Sequence, residues 1–253
     1  MNILLSEYIN TLNSVCQTNG FIRIGKCYVR IDHSILKTFR LFLFADGDRF
    51  DVRFGVAPLC QPDLKEDYGE NSLSSFDVEN MVWYSKREIQ QCDPSLLQQV
   101  FRKVETTIIP MLNRCKDEAS SLREIEQFCN IVYANWEQRL KKPVARRVDY
   151  FLFQPEVYFF AIRSQNRELL EKIICAQIKE YHMQLDRIKI KLREEEEKDN
   201  LLILQERLIH YIEKKSSHLQ AVKADNWQMF EYDLAVNEKK NLQYFTKKRV
   251  IVG

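Results

Sequence analysis

The sequence predicts an α+β fold: a small antiparallel β-meander flanked by helices at the N-terminus, followed by an all-α half of helical hairpins in a repeat-like arrangement. Three observations carry this expectation. Period-two alternation of apolar and polar residues is concentrated before residue 60, and helical spacing of apolar residues dominates after residue 93. Six glycines and six prolines in 253 residues leave few breakers, which favours long regular elements.

Along the first half, Ile3, Leu4, Tyr8, Ile9, Leu12 and Val15/Cys16 recur at helical spacing. Asn19-Gly20 supplies a left-handed stop, so a helix is expected over roughly residues 3–18. Phe21–Ile24 and Cys27–Ile31 flank Gly25-Lys26 as a hairpin, and a longer strand runs from Ile35 to Phe44. Asp46-Gly47-Asp48 is turn chemistry. After it, Phe50, Val52, Phe54 and Val56 alternate with Arg49, Asp51, Arg53 and Gly55, which predicts one buried and one wet face. Residues 60–75 are polar and turn-rich, hence a surface excursion, and Met81–Tyr84 offers one more short strand. Asp93-Pro94 opens a helix through Leu96, Val100, Val104 and Ile108 that Pro110 should kink or end, and a second helix spans about Ser121–Trp136.

Composition shifts at Arg139–Pro143, so the domains are placed at residues 1–140 and 141–253. Beyond the shift, Ile174, Ile178, Tyr181, Leu185, Ile188 and Leu192 form a heptad-like seam on one long helix. Leu201, Leu204, Leu208, Ile212, Leu219 and Val222 supply its partner after a break near Asp199-Asn200. Residues 161–171 are echoed 60 positions later by residues 221–231, with Ala, Asn and Glu identical. Each copy reads as a helix end, a tight polar turn and a new helix, which suggests two stacked helix-turn-helix units.

The pattern GF-x-R-x-G-x-x-Y-x-R from Gly20 to Arg30 resembles bacterial domains of unknown function numbered 4304. Phe50–Val56 and the helix ending at Ile108–Leu112 look like the same family, so the resemblance covers about residues 1–140. It implies an α+β fold with no agreed activity, cofactor or catalytic residue. Some such domains sit among contact-dependent toxin and defence loci, which implies an immunity, antiviral-defence or interaction role by association.

Composition limits the function classes. A net charge of +2 gives no general steering toward nucleic acid or anionic membrane. No apolar run approaches a membrane span, and the N-terminal residues lack a basic region before an apolar stretch, so a cytoplasmic protein is expected. Seven cysteines, Cys16, Cys27, Cys60, Cys92, Cys115, Cys129 and Cys175, carry no C-x-x-C pair and read as reduced, mostly buried thiols. P-loop, G-x-G-x-x-G, H-E-x-x-H and nucleophile-elbow motifs are absent, so neither catalysis nor a cofactor or metal is expected.

Two clusters stand out as binding candidates. Arg23 or Arg30, with Arg40, Arg49 and Arg53, falls on the supposed wet strand face, where guanidinium forks suit a carboxylate or phosphate. Arg139, Lys141, Lys142, Arg146 and Arg147, followed by Tyr150, Phe151 and Phe153, combine cations with rings in the manner of a nucleic-acid-binding segment, or form a linker whose aromatics pack. His33 falls in a turn, whereas His182, His210 and His218 read as exposed helix positions, with His182 and His210 able to face each other. Glu194–Glu197 and Lys247–Arg249 read as solvated helix ends. The leading expectation is a non-catalytic protein-binding module, with self-association through the helical half as a further option. A nucleic-acid-associated protein and a small-anion sensor are the alternatives.

Overall fold

A computed structural model describes residues 3–43, 49–68, 71–72, 84–85, 102–141, 151–194 and 198–250. The fold is α+β, as expected, with an antiparallel sheet in the N-terminal part and helices through most of the remainder. The chain divides into two compact units, residues 1–147 together with 234–253, and residues 148–233. The expected single boundary at 140/141 is therefore replaced by two crossings, because the last stretch of chain belongs to the first unit.

Helix α1 (Ile3–Thr18) precedes strands β1 (Ile22–Ile24), β2 (Cys27–Asp32), β3 (Ile35–Leu43) and β4 (Arg49–Pro58), which pair in sequence order as an antiparallel meander. The two-residue strands β5 (Asn71–Ser72) and β6 (Tyr84–Ser85) both pair with β4. Gly25, at φ 61°, turns β1 into β2. His33 and Ser34 take φ 47° and 67° in the tight turn between Asp32 and Ile35, the backbone hand that matches strand twist in a two-residue hairpin loop.

The sheet is covered on both faces rather than one. On one face Tyr28 stacks on Phe39 at 4.8 Å, Phe21 meets Phe39 edge-on at 5.1 Å, and Phe54 meets Phe128 at 5.2 Å. On the other, Cys27, Val29, Ile31, Leu36 and Ala57 form a core with Leu59, Leu64, Phe245 and Val250. Val52, Phe54 and Val56 of β4 are buried on one face, as the alternation predicts, but Ala57 on the opposite face is also covered, where Leu242, Tyr244 and Phe245 pack against the same core. Apolar burial on that scale supplies about 1.5–3 kcal/mol for each large side chain.

The segment after β4 also differs from a surface excursion, since Leu59, Cys60, Gln61 and Leu64 are buried. Irregular buried backbone needs partners. Asn241, only 3% exposed, provides them by donating through Nδ2 to the carbonyls of Leu59 and Gln61, each at 2.7 Å. Tyr244 donates to Glu66, and Lys240 pairs with Asp63 at 3.1 Å.

A π-type turn, Val104–Ile108, leads into α2 (Ile109–Arg114), so Pro110 does not end the helix. Ile109 donates to the carbonyl of Val104, and this wider turn lets the chain pass the missing proline amide. Helix α3 (Glu118–Leu140) starts on a capping box in which Ser120 N–H donates to Asp117 at 2.7 Å and Asp117 N–H to Ser120 Oγ at 3.0 Å. The described cysteines are free thiols, buried except for Cys175, and burial pushes Cys16 and Cys115 up to about 12.

The second unit holds α4 (Pro155–Arg163), α5 (Arg167–Glu194), α6 (Lys198–Lys223) and the start of α7 (Gln228–Lys247). The 60-residue echo resolves into a shared way of closing a helix. Asn166 N–H reaches back to Ala161 and Gln165 to Ile162, at 2.9 and 3.0 Å, with Gln165 at φ 49°. Asn226 and Asp225 do the same to Ala221 and Val222, at 2.8 and 3.1 Å, with Asp225 at φ 57°. This paired reach-back around a left-handed residue also ends α1 at Gly20 and α7 at Arg249. The helix pairs themselves do not match, at 9 and 28 residues against 26 and 20, so the turn repeats and the helical unit does not.

Replacing Asn241 by Leu strands two buried carbonyls while keeping the volume, and Asn241→Leu is expected to lower stability by about 3 kcal/mol in urea unfolding. A loss under about 0.5 kcal/mol, the level of an ordinary surface change, would contradict the latch.

Candidate functional site

The heptad seam forms a two-helix hairpin from α5 and α6. Leu185, Ile188 and Leu208 are buried at its centre, with Tyr181, Leu192, Leu201 and Ile212 packed around them. The rings of Tyr181 and Tyr211 stack across the pair at 5.8 Å. Leu204, expected in the seam, is 45% exposed instead. Elsewhere on the same two helices Met183, Ile190, Leu202, Ile203, Ile209 and Tyr211 are also exposed. Scattered exposed apolar residues are ordinary, but this density on one hairpin is a feature of interaction surfaces.

The base of the hairpin is polar and tightly built. Tyr158 of α4 shares a 2.6 Å hydrogen bond with Nδ1 of His218 on α6, and Phe230 of α7 meets the His218 ring edge-on at 5.1 Å. Lys215 Nζ lies 3.6 Å from the centroid of the Tyr158 ring, a close cation–π contact. His218 is thus half-buried and partnered, not the exposed helix residue expected. Its local sequence is charged, and the burying groups come from α4 and α7.

Electrostatics follow the packing. Burial lowers His218 from 6.5 to about 4, with the charges of Lys215 and Lys214 adding to the effect and Asp233 opposing it. Burial likewise lowers Lys215 to about 8, helped by Lys214, and holds the Tyr158 hydroxyl well above its usual range. A neutral imidazole facing a protonated phenol suits a hydrogen bond that ties α4 to α6. His182 and His210 are both exposed, and among the described residues no three His, Cys, Asp or Glu side chains gather as a metal site.

Of the expected arginine face, Arg40, Arg49 and Arg53 fall on one side of the sheet by register, and Arg23 and Arg30 on the other. Arg40 and Arg53 are directly opposed on β3 and β4, and Arg40 pairs with Asp67 at 3.4 Å. Arg23 is in register with Tyr28 and, through it, Phe39, on the other side of the sheet; it donates to the Gly25 carbonyl at 2.8 Å. Arg30 shares that opposite side, held by the Asn19 carbonyl at 2.7 Å, Asn113 Oδ1 at 2.8 Å and Asp32 at 2.9 Å. A period-two pattern assigns parity within a strand but not between strands, which is why the four residues seemed to share a face. Arg49 begins β4, in register with Ser85. Of the basic segment, Arg139 lies in the last turn of α3 and Lys141 follows it at φ 51°, whereas Lys142, Arg146 and Arg147 fall outside the described residues.

Sequence reasoning found the seam but missed the Tyr158–His218–Lys215 cluster, whose members are separated by about 60 positions and match no motif. Comparison with protein-family models, curated proteins and solved structures gives no match.

The sign of the pH dependence follows from His218. Its folded-state value lies below 6.5, so the stability it supports is complete above that pH and is lost as pH falls toward 4. Allowing for partial exposure, the native chain should lose about 1 kcal/mol more than His218→Phe between about pH 7.5 and 5. Urea unfolding of both proteins at the two pH values measures this. Equal losses would remove His218 as the titrating group.

Proposed function

We propose that the chain is a non-catalytic protein-interaction module that presents the α5–α6 hairpin to a partner. The observation that carries this reading is the run of exposed apolar side chains, Ile190, Leu202, Ile203, Leu204 and Tyr211, on a hairpin whose base is fixed by buried and hydrogen-bonded groups. A rigid base limits the entropy lost on association, and exposed apolar area supplies the driving force. Among the described residues no helix is long and apolar enough to cross a membrane, so a lipid core does not account for these side chains.

The Tyr158–His218–Lys215 cluster supports the same reading as a structural brace. Its imidazole is packed against Tyr158 and Phe230, and its hydroxyl is committed to that ring.

Affinity capture from native lysate with the full chain, compared with an Ile190→Glu, Leu202→Glu, Leu204→Glu variant, tests the proposal. A stoichiometric partner held by the native chain and lost by the variant is the expected result. Absence of any stoichiometric partner, or equal capture by both proteins, would sink it.

A further inference from the structure

Among the described residues, the hairpin face that α4 covers at one end continues uncovered toward the other. We infer that this uncovered stretch, floored by Tyr181, Leu204 and Tyr211, is a groove for an acidic amphipathic helix of a partner protein; this rests on the interaction-module reading above.

The placement follows from helix periodicity. On α6, Leu204, Tyr211 and His218 are seven residues apart and so share one face. The His218 end of that face lies under α4, as the 2.6 Å bond to Tyr158 shows. Helix α4 has only nine residues, about 13 Å, against about 39 Å for the 26 residues of α6. Past the end of α4 the same row emerges, with Tyr211 49% and Leu204 45% exposed. Tyr211 is still braced from below by its stack on Tyr181, so the floor joins both helices. Paired aromatic rings that are already ordered make good anchors, because little side-chain freedom remains to be lost.

The rims define the partner's charge. Steps of three and four residues lead from Tyr181 along α5 through Gln184 to Arg187 and Lys191, both exposed. The same steps on α6 run Leu204, Arg207, Tyr211, Lys214, placing two more exposed cations beside the aromatic row. On the α5 rim, the nearby carboxylate of Glu180 accepts from Gln184 at 3.1 Å. Two cationic rims around an aromatic floor complement a helix with apolar residues on one face and carboxylates on both flanks. Such a helix would extend the line of α4, packing on the hairpin as α4 does. The run from Leu201 to Tyr211 is eleven residues along α6, a rise of about 15 Å, and accommodates roughly three turns of helix.

The test uses a fluorescein-labelled peptide of about 18 residues, long enough to be helical, with leucines at one face and glutamates on both flanks, and its lysine-flanked counterpart. Binding to the full chain is followed by anisotropy at low salt. The glutamate peptide should bind and the lysine peptide should not. The double variant Leu204→Asp, Tyr211→Asp should weaken binding at least about tenfold, as should Arg207→Glu, Lys214→Glu. All these positions are exposed, and circular dichroism checks that the variants fold. No binding of the glutamate peptide at about 1 mM overturns the inference. So does binding indifferent to both variants, or tighter binding of the lysine peptide or of a single-stranded oligonucleotide at the same residues. If the groove fails while lysate capture still depends on Ile190 and Leu202, the interaction module stands and only its groove is misplaced.

Discussion

A β-sheet whose strands are apolar on both faces needs two covers, and the carboxamide of Asn241 secures the second. Carried on a helix nearly two hundred residues later, it gives the irregular backbone at Leu59–Gln61 the two donors that water would otherwise provide. Around it Phe245, Val250 and Leu242 close over Cys27, Val29, Ile31 and Leu36. The opposite face, where Phe21 packs on Phe39 of β3 and Phe128 on Phe54 of β4, is covered by segments nearer in sequence. The first unit thus draws its two covers from the near and the far end of the described chain, while residues 148–233 form a unit of their own.

That arrangement leaves the second unit free to be shaped for another purpose. Its base is dense with ring contacts among Tyr158, His218, Phe230 and Trp227. Toward the turn of the hairpin the packing thins to one seam with exposed apolar flanks. The gradient from braced base to bare arm matches the physical requirement for a docking element, in which the surface offered must be both ordered and unsatisfied.

Much of this was legible in the sequence because it rests on local periodicity. The alternation through Phe50–Val56 marked β4, and the spacing from Ile174 to Leu192 marked the seam of α5 with only Leu204 of its partner row misassigned. What was hidden depended on distance. Leu242 and Phe245 look like an ordinary helix stripe, and nothing near them names the irregular segment after β4, 182 residues upstream, that Asn241 serves. His218 stands among Lys214, Lys215 and Ser217, which suggests solvent, and only the approach of Tyr158 and Phe230 removes it from water. The arginines of the sheet were misgrouped for a related reason: strand parity is written in the sequence, but the register that relates one strand's parity to the next is written in the turns.

The reliance of an early sheet on a late helix also sets an order of events during synthesis. At about 5–20 residues per second, roughly 10–40 s separate the emergence of Ala57 from that of Val250. For that interval Val29, Ile31 and Leu36 have an apolar face and no cover, while the helical hairpin can close on local contacts alone. A nascent chain of this kind carries its greatest risk of misassociation before the final turns of α7 appear, in a part of the molecule separate from the proposed docking hairpin.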